Sequence, residues 1–192
     1  MIYILLGLLL LCISIFLGIY NRLVRLKNRY KNAFSQIDVQ LKRRHDLIPN
    51  LVEVSKKYME HEKETLTAVI QARQQASGIV NQLKNNLGDT GLLENLANAE
   101  NALSSGLGKL FAVMENYPDL KANETMAQLS EELKSTENKI SFSRQSYNDS
   151  VMTYNTAREI FPNNMVAGLF SFTPVAQLKI AEQERSTPKV KF

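Results

Sequence analysis

The sequence contains few of the residues that stabilise disulfide-rich or β-sheet proteins. It has no tryptophan, one cysteine (Cys12), five prolines and eight glycines among 192 residues. A single cysteine excludes an intramolecular disulfide, a cysteine-rich zinc site and a Cys-x-x-Cys redox pair. So few turn-forming residues also argue against a β-sandwich, which needs a turn signal every ~8–12 residues. The composition therefore predicts an all-α protein.

Charged side chains are absent from the first twenty residues, which read MIYILLGLLLLCISIFLGIY. About 20 apolar residues match the ~30 Å hydrocarbon core of a bilayer, so residues 1–20 are predicted to form a transmembrane helix. A cleaved signal peptide is disfavoured, because a positive n-region and a small-residue cleavage site are both missing. Small residues at Gly7, Ser14 and Gly18 share one face and are the expected oligomer contact in the membrane. The alternative is that they fall on this face by chance.

Five basic residues and no acidic one follow the apolar segment: Arg22, Arg25, Lys27, Arg29 and Lys31. Positive residues flank membrane helices on the cytoplasmic side. This predicts a single-pass protein of the cell membrane with the bulk of the chain in the cytoplasm. The other 18 of the 23 basic residues nearly balance 19 acidic residues. The distribution argues against nucleic acid as a partner and favours anionic lipid, which attracts each basic side chain by ~1 kcal/mol.

The remaining chain is predicted to form long antiparallel helices that continue the membrane helix, as an elongated bundle over residues 21–160. Apolar residues recur at helical spacing from residue 21 to about residue 84, with a kink expected at Pro49. A turn at KNNLGDTG (84–91) is followed by predicted helices over about 92–115 and 122–160. Residues 161–185 are expected to form an apolar loop and a short helix (about 175–184) near the membrane, followed by a basic tail (186–192).

Helix lengths suggest how the chain folds back. The first arm beyond the membrane, ~62 residues long, matches the summed length of the later two helices, so residue i should face about 176 − i. In that register Phe34 faces Phe142 and Arg44 faces Glu132. The polar residues expected to set the register, unless they are simply solvated, are Asp38, Arg44, Glu132 and Asn138. The alternative is a compact up-down bundle in which the chain reverses at YPDL (117–120).

If the return arm ends at the bilayer, six apolar residues reach the headgroups beside the basic cluster: Phe161, Met165, Val166, Leu169, Phe170 and Phe172. Exposed apolar groups of this kind mark interfaces. A segment of ~12 residues is too short to span the membrane, so it is expected to lie at its surface. The alternative is that it caps the core of the bundle.

Candidates for catalysis or metal binding are few. His61 in MEHEKE lacks the second histidine of an H-E-x-x-H zinc helix, and His45 has no cysteine or histidine at ligand spacing. The sequence also has no glycine-rich phosphate loop and no nucleophile motif. We therefore expect no enzyme activity, no cofactor and no metal.

Five segments together resemble the LemA family of bacterial membrane-anchored helical proteins. They are YNRLVRLKNRYKNAFSQIDVQLKRRHDLIPNLV (20–52), YMEHEKETLTAVIQAR (58–73), YPDLKANE (117–124), EELKSTENKISFSRQSYNDSVMTYN (131–155) and FPNNMVAGLF (161–170). The resemblance implies a helical bundle behind one span of the bacterial inner membrane, without established catalytic activity. Some members look like parts of the machinery that shapes magnetosome membranes, and others are encoded near membrane metalloproteases. We expect a self-associating scaffold that organises or remodels the membrane, or alternatively an adaptor for another membrane protein such as a protease.

Overall fold

The computed structural model describes residues 1–84 and 86–178, and over these residues the protein is all-α, as predicted. The helices are α1 (Ile2–Lys56), α2 (Lys63–Leu83), α3 (Thr90–Met114), α4 (Pro118–Lys121), α5 (Glu124–Glu159) and α6 (Asn163–Leu169). Residues 172–178 follow α6 as a non-helical segment.

Helix α1 carries the apolar N-terminal segment and continues without interruption into the body of the protein. Among the described residues it is the one helix long and apolar enough to cross a membrane, and none of its apolar window is buried. Exposing such a surface to water costs about 25 cal/mol per Å². The prediction that the apolar helix continues into the first arm is confirmed.

Four helices form an up-down bundle in the half of the molecule far from the apolar segment, which we call the distal bundle. Helix α2 runs back along α1, where Lys84 Nζ lies 3.3 Å from Asp38 Oδ2. Helix α3 reverses again and packs on α2, and α5 reverses a third time to pack along α1. Asn123 at the start of α5 donates a hydrogen bond to Tyr58 beyond the end of α1. The compact arrangement is therefore correct for this half, and the simple hairpin is wrong.

The first reversal occurs where the sequence predicted continuous helix. Helix α1 ends at Lys56 and α2 begins at Lys63, so the prediction of one helix over residues 21–84 is wrong. The connecting residues contain neither glycine nor proline. Instead Met59 is fully buried in the core of the distal bundle. Burying a methionine side chain stabilises the fold by about 1.5–3 kcal/mol. The helix propensities of the neighbouring residues do not predict this burial.

The register between α1 and α5 is about one and a half turns away from the predicted one. The Phe34 and Tyr147 rings meet at a centroid distance of 5.8 Å, whereas Phe142 is 73% exposed. The predicted pairing of Phe34 with Phe142 is therefore wrong. The contact between Arg44 and Glu137 follows the observed register, in which paired residue numbers add to about 181.

Pro49 lies inside α1, which continues through it. Proline has no backbone N–H, so the carbonyl of His45, four residues earlier, loses its helical donor. Arg73 of α2 replaces that donor, with Nε 2.9 Å from the carbonyl oxygen. Pro49 therefore leaves the His45 carbonyl of α1 available to accept a hydrogen bond from Arg73 of α2.

We expect Arg73→Met to lower the free energy of unfolding by about 1–3 kcal/mol, because it leaves the His45 carbonyl without a donor. In a Pro49→Ala background the restored N–H satisfies that carbonyl. The same substitution should then cost about 1 kcal/mol less. Urea unfolding of the four proteins, followed by circular dichroism, measures this difference. Equal costs in both backgrounds would contradict the proposed role of Pro49.

Helix boundaries on the return path follow local signals. The Asp89 carboxylate accepts hydrogen bonds from two backbone N–H groups at the start of α3, and the Asn123 side chain caps α5 in the same way. Such caps contribute ~1 kcal/mol each. Pro118 begins α4, where its missing N–H costs nothing. The predicted helices over 92–115 and 122–160 are confirmed to within two residues.

The structure differs from the prediction after α5. Residues expected to form a loop form α6, at whose start Asn163 Nδ2 donates to the Ala157 carbonyl at 2.8 Å. The predicted helix over 175–184 is wrong for residues 175–178, which are not helical. Their peptide groups bind side chains of α5 instead of one another. Residues 179–184 and the predicted basic tail (186–192) lie outside the described residues.

Candidate membrane-proximal site

Helix α6 and the residues after it pack on α1 where its apolar segment ends. The Phe170 ring centroid lies 5.8 Å from that of Phe16 and 4.8 Å from that of Tyr20. The Phe172 ring lies 5.8 Å from Tyr20, and Lys27 Nζ lies 5.8 Å from the Phe172 ring centroid. Aromatic pairs at such distances contribute ~0.5–1.5 kcal/mol beyond the burial of their area. These contacts attach the return arm to α1 at the end of the apolar segment.

One side of α6 presents an apolar strip to the surroundings. Phe161, Met165 and Leu169 are 79%, 67% and 70% exposed. Met165 and Leu169 are four residues apart and therefore share one face of α6, and Phe161 lies just before the start of the helix. The opposite side of the helix is buried through Asn163, Val166 and Ala167. We call the three exposed residues the α6 strip.

The residues predicted to reach the membrane surface divide into two groups. Phe161, Met165 and Leu169 are exposed and Phe170 is 46% exposed, whereas Val166 and Phe172 are buried, with 3% and 8% exposure. The alternative in which the segment caps the core therefore holds for Val166 and Phe172, which both belong to the core, with the Phe172 ring against Tyr20 and Lys27. Of the five predicted basic residues, Lys27 is partly buried. The other four are exposed: Arg22, Arg25, Arg29 and Lys31. Contact of either group with lipid stays a prediction.

Asparagines of α5 bind the backbone of the segment that follows α6. Asn155 donates to the Val175 carbonyl at 2.8 Å and accepts from the Val175 N–H at 3.1 Å. Asn148 forms the same pair of hydrogen bonds with Leu178, both at 2.9 Å. The amide groups of these asparagines both donate to and accept from the backbone of the segment, as the peptide groups of a neighbouring β-strand would.

Two buried tyrosines of α5 add hydrogen bonds to this segment. The Tyr154 hydroxyl donates to the Thr173 carbonyl at 3.0 Å, and the Tyr147 hydroxyl donates to the Ala176 carbonyl at 3.2 Å. Burial raises the pKa of Tyr154 to about 12 and also raises the pKa of Tyr147, with the neighbouring Tyr30 adding to both shifts. Both hydroxyls therefore remain protonated donors at neutral pH.

A second polar site lies inside the distal bundle. Glu100 of α3 is 1% exposed, and its two oxygens lie 3.2 Å from Arg44 Nη1 and 2.9 Å from His45 Nε2 of α1. Arg44 also lies 2.8 Å from Glu137 of α5 and donates to Ser104 at 2.8 Å. Buried charges are costly unless each is paired, so alignments of α1, α3 and α5 that separate the groups of this buried network are disfavoured.

The residues predicted to set helix register have other partners than expected. Arg44 belongs to the buried network, whereas Glu132 lies 3.4 Å from Arg43, with those side chains 50% and 55% exposed. The predicted pairing of Arg44 with Glu132 is wrong, because the register differs and Arg44 points into the bundle. Asp38 binds Lys84, directly after the end of α2, and not a residue of α5. Asn138, the fourth predicted residue, lines a groove between α3 and α5.

Sequence reasoning missed Glu100, although a signal for it exists. Glu100 occupies one position of a stripe with heptad spacing whose other members are leucines: Leu93, Leu96, Leu103, Leu107 and Leu110. A single charge in such a stripe indicates a buried polar contact that specifies helix alignment. His45 of α1 is the partner of Glu100.

The small residues predicted to mediate contact in the membrane remain exposed in the single chain. The described part of the chain leaves all three residues exposed: Gly7, Ser14 and Gly18. A Cβ atom added at Gly7 or Gly18 would meet nothing within 4 Å. This face is open to another helix, and its role in assembly stays a prediction.

Residues 33–192 match the model of the LemA family. The chain is 29% identical over 171 residues to Protein LemA of Metamycoplasma hominis, covering 89% of this chain and 74% of that protein. It is 26% identical over 171 residues to Magnetosome protein MamQ of Magnetospirillum gryphiswaldense, covering 81% and 63% of the two chains. For Magnetosome protein MamQ 1 of Paramagnetospirillum magneticum the identity is 26% over 168 residues, covering 80% and 62%. The matched region thus spans less than two thirds of each of these MamQ proteins.

Proposed function

Since the chain belongs to the LemA family, we propose that it is a single-pass membrane protein that self-associates as a scaffold and organises the bilayer beneath it. Helix α1 supplies the anchor, and the basic residues that follow it favour a cytoplasmic body. Two of the relatives bear the name magnetosome protein, which agrees with a role at a membrane.

The observation that carries this proposal is the position of the α6 strip. Phe170, directly after α6, packs on Phe16 and Tyr20 at the end of the apolar segment. Phe16 lies about one helical turn, or ~6 Å, before Tyr20. If α1 spans the bilayer, the strip reaches the boundary between headgroups and acyl chains, where interfacial helices insert by about 5–10 Å.

Each copy would then contact lipid twice, through α1 across both leaflets and through the α6 strip in one leaflet only. The exposed basic residues after the anchor add attraction to anionic headgroups. Apolar side chains inserted into a single leaflet expand that leaflet relative to the other. Repeated around an oligomer, this asymmetry bends the membrane.

We expect the triple variant Phe161→Ser, Met165→Ser and Leu169→Ser to lose membrane deformation while keeping its fold, because all three side chains are exposed. Full-length protein is reconstituted into vesicles with and without phosphatidylglycerol, and vesicle shape is recorded by electron cryomicroscopy. Wild-type protein should produce tubes or small vesicles.

The matched control removes the same number of exposed apolar residues away from the anchor: Val39→Ser, Phe142→Ser and Met152→Ser. It should deform vesicles as wild type does. A spin label at Met165→Cys, in a Cys12→Ser background, should collide more often with oxygen than with a water-soluble nickel chelate. Undiminished deformation by the α6 triple variant, or a label facing water, would show that the strip does not act on lipid.

Self-association is tested by a separate substitution in the membrane helix. Replacing Gly7, Ser14 and Gly18 by leucine should reduce particle mass in detergent, because bulky side chains keep membrane helices apart. Replacing Ile4, Ile13 and Ile15 by leucine changes no volume and serves as the control. Mass photometry distinguishes the results. An unchanged mass would assign assembly to the helical body, and small uniform wild-type particles would favour an adaptor over a scaffold.

A further inference from the structure

Arg158, in the last turn of α5, is a cation that packing holds near the membrane end of the body. Its side chain is 21% exposed. Within the part of the chain that the structure describes, Nη2 donates to Glu159 Oε1 at 2.9 Å, whereas the buried Nε has no hydrogen-bond partner. Buried donors in native proteins are almost always paired. The unpaired Nε therefore points to a second acceptor for this guanidinium.

Glu159 does not satisfy Arg158. The Glu159 side chain is 65% exposed, and water weakens ion pairs of this kind. A guanidinium carries five N–H donors in a rigid fork, of which one carboxylate oxygen takes one. Arg158 is therefore able to bind a further anion without giving up its present contact.

The Tyr30 ring of α1 and the Tyr154 ring of α5 fix the height of Arg158 along the body, with centroids 5.1 Å apart. Arg158 follows Tyr154 by four residues. Four residues before Tyr30 on the antiparallel α1 is Leu26, so Arg158 lies near the level of Leu26. That level is six residues, or ~9 Å, beyond Tyr20 at the end of the apolar segment. Since headgroups extend ~5–8 Å from the hydrocarbon core, the long arginine side chain reaches them if α1 spans the bilayer.

Negative charge is scarce at this end of the molecule. Residues 1–37 contain no aspartate or glutamate, and Glu159 is the one acidic residue between positions 150 and 178. The basic residues after the anchor follow the same end of the apolar segment on α1: Arg22, Arg25, Lys27, Arg29 and Lys31. Such an excess of positive charge favours an anion as the ligand. At the height of the headgroups, the anion that every phospholipid presents is a phosphate.

We propose that the guanidinium of Arg158 binds the headgroup phosphate of a membrane lipid, which rests on the proposed function because α1 must span the bilayer. Arginine pairs its planar fork with two phosphate oxygens at once. Exposed basic residues attract anionic headgroups in many orientations, whereas Arg158 is confined by packing and holds one lipid in one place. The α6 strip begins three residues later with Phe161, which is 79% exposed, so the acyl chains of the same lipid lie beside it.

The test is a titration of the full-length protein in detergent with phosphatidylglycerol, in which native mass spectrometry counts the bound lipids. Arg158→Gln should weaken binding of the first lipid about tenfold, because a charge-assisted pair of hydrogen bonds is lost. Arg158→Lys keeps the charge without the fork and should still weaken binding about threefold. Arg25→Gln is the matched control, since Arg25 is exposed and lies ~8 Å beyond Tyr20. It should change the affinity by no more than about twofold.

Glu159→Gln keeps Arg158 and removes its competing carboxylate. This variant should bind phosphatidylglycerol at least as tightly as wild type, and it remains informative if Arg158→Gln fails to fold. Thermal unfolding followed by circular dichroism provides a second measurement. Added phosphatidylglycerol should raise Tm for wild type and for Arg25→Gln, but not for Arg158→Gln, because a ligand stabilises only the protein that binds it.

Two further ligands identify the source of the phosphate. Diacylglycerol has the acyl chains without the phosphate and should bind wild type and Arg158→Gln equally. An excess of inorganic phosphate should not displace the lipid, and displacement that requires Arg158 would overturn the lipid assignment in favour of free phosphate. Equal affinities of Arg158→Gln and Arg25→Gln for phosphatidylglycerol, or weaker binding by Glu159→Gln than by wild type, would overturn the proposal. Detergent micelles contain no bilayer to deform, so these results are independent of vesicle deformation.

Discussion

The Glu100→Gln protein is expected to unfold with a free energy about 3 kcal/mol lower than that of wild type. The substitution keeps the shape of the side chain but removes its charge, which leaves Arg44 buried with only the partly exposed Glu137 as its counter-ion. Breaking a buried ion pair from one side costs about 3–5 kcal/mol. Guanidinium unfolding of the full-length protein in detergent, followed by circular dichroism, measures the loss.

Glu132→Gln is the matched control, because this glutamate pairs with Arg43 in solvent at 50% and 55% exposure. Exposed pairs contribute about 0–1 kcal/mol. Replacing both buried partners, as in Arg44→Met with Glu100→Leu, should recover part of the loss, since apolar residues can substitute for a buried pair. If Glu100→Gln were as stable as Glu132→Gln, the buried network would have no role in stability.

Tyr147→Ala is expected to lower the free energy of unfolding by about 3–5 kcal/mol, because it removes a large, fully buried ring. That ring packs against Phe34, and its hydroxyl binds the Ala176 carbonyl. Phe142→Ala removes an aromatic ring that is 73% exposed and should change stability by no more than about 0.5 kcal/mol. The register predicted from helix lengths requires the opposite order.

The same unfolding measurement decides between the two registers. Tyr147→Phe isolates the hydrogen bond, which should contribute about 1 kcal/mol of the total. A larger loss for Phe142→Ala than for Tyr147→Ala would show that α1 and α5 pair as the helix lengths suggest and not as observed.

The sequence by itself determined the features that depend on neighbouring residues. Twenty uncharged residues identify the apolar segment, and periodic leucines after the turn at residues 84–91 define α3 to within two residues. The exposure of Phe161 and Leu169 also agrees with the expectation from the apolar segment after α5. Helical hydrogen bonds and side-chain periodicity span three or four residues, so such signals are complete within a short stretch of chain.

Only the tertiary structure decided the first reversal of the chain, after Lys56, and which helix faces meet. Helix α1 ends before the buried Met59, although no glycine or proline is present there to end it. Arg73 donates a hydrogen bond to the His45 carbonyl, which has no helical donor because of Pro49. Phe172 is buried, and the carboxylate of Glu100 in α3 pairs with Arg44 in α1. Each of these contacts joins residues distant in sequence, and its free energy depends on packing and on pairing buried charge. A helical pattern is compatible with several registers, so the partner surfaces select one of them.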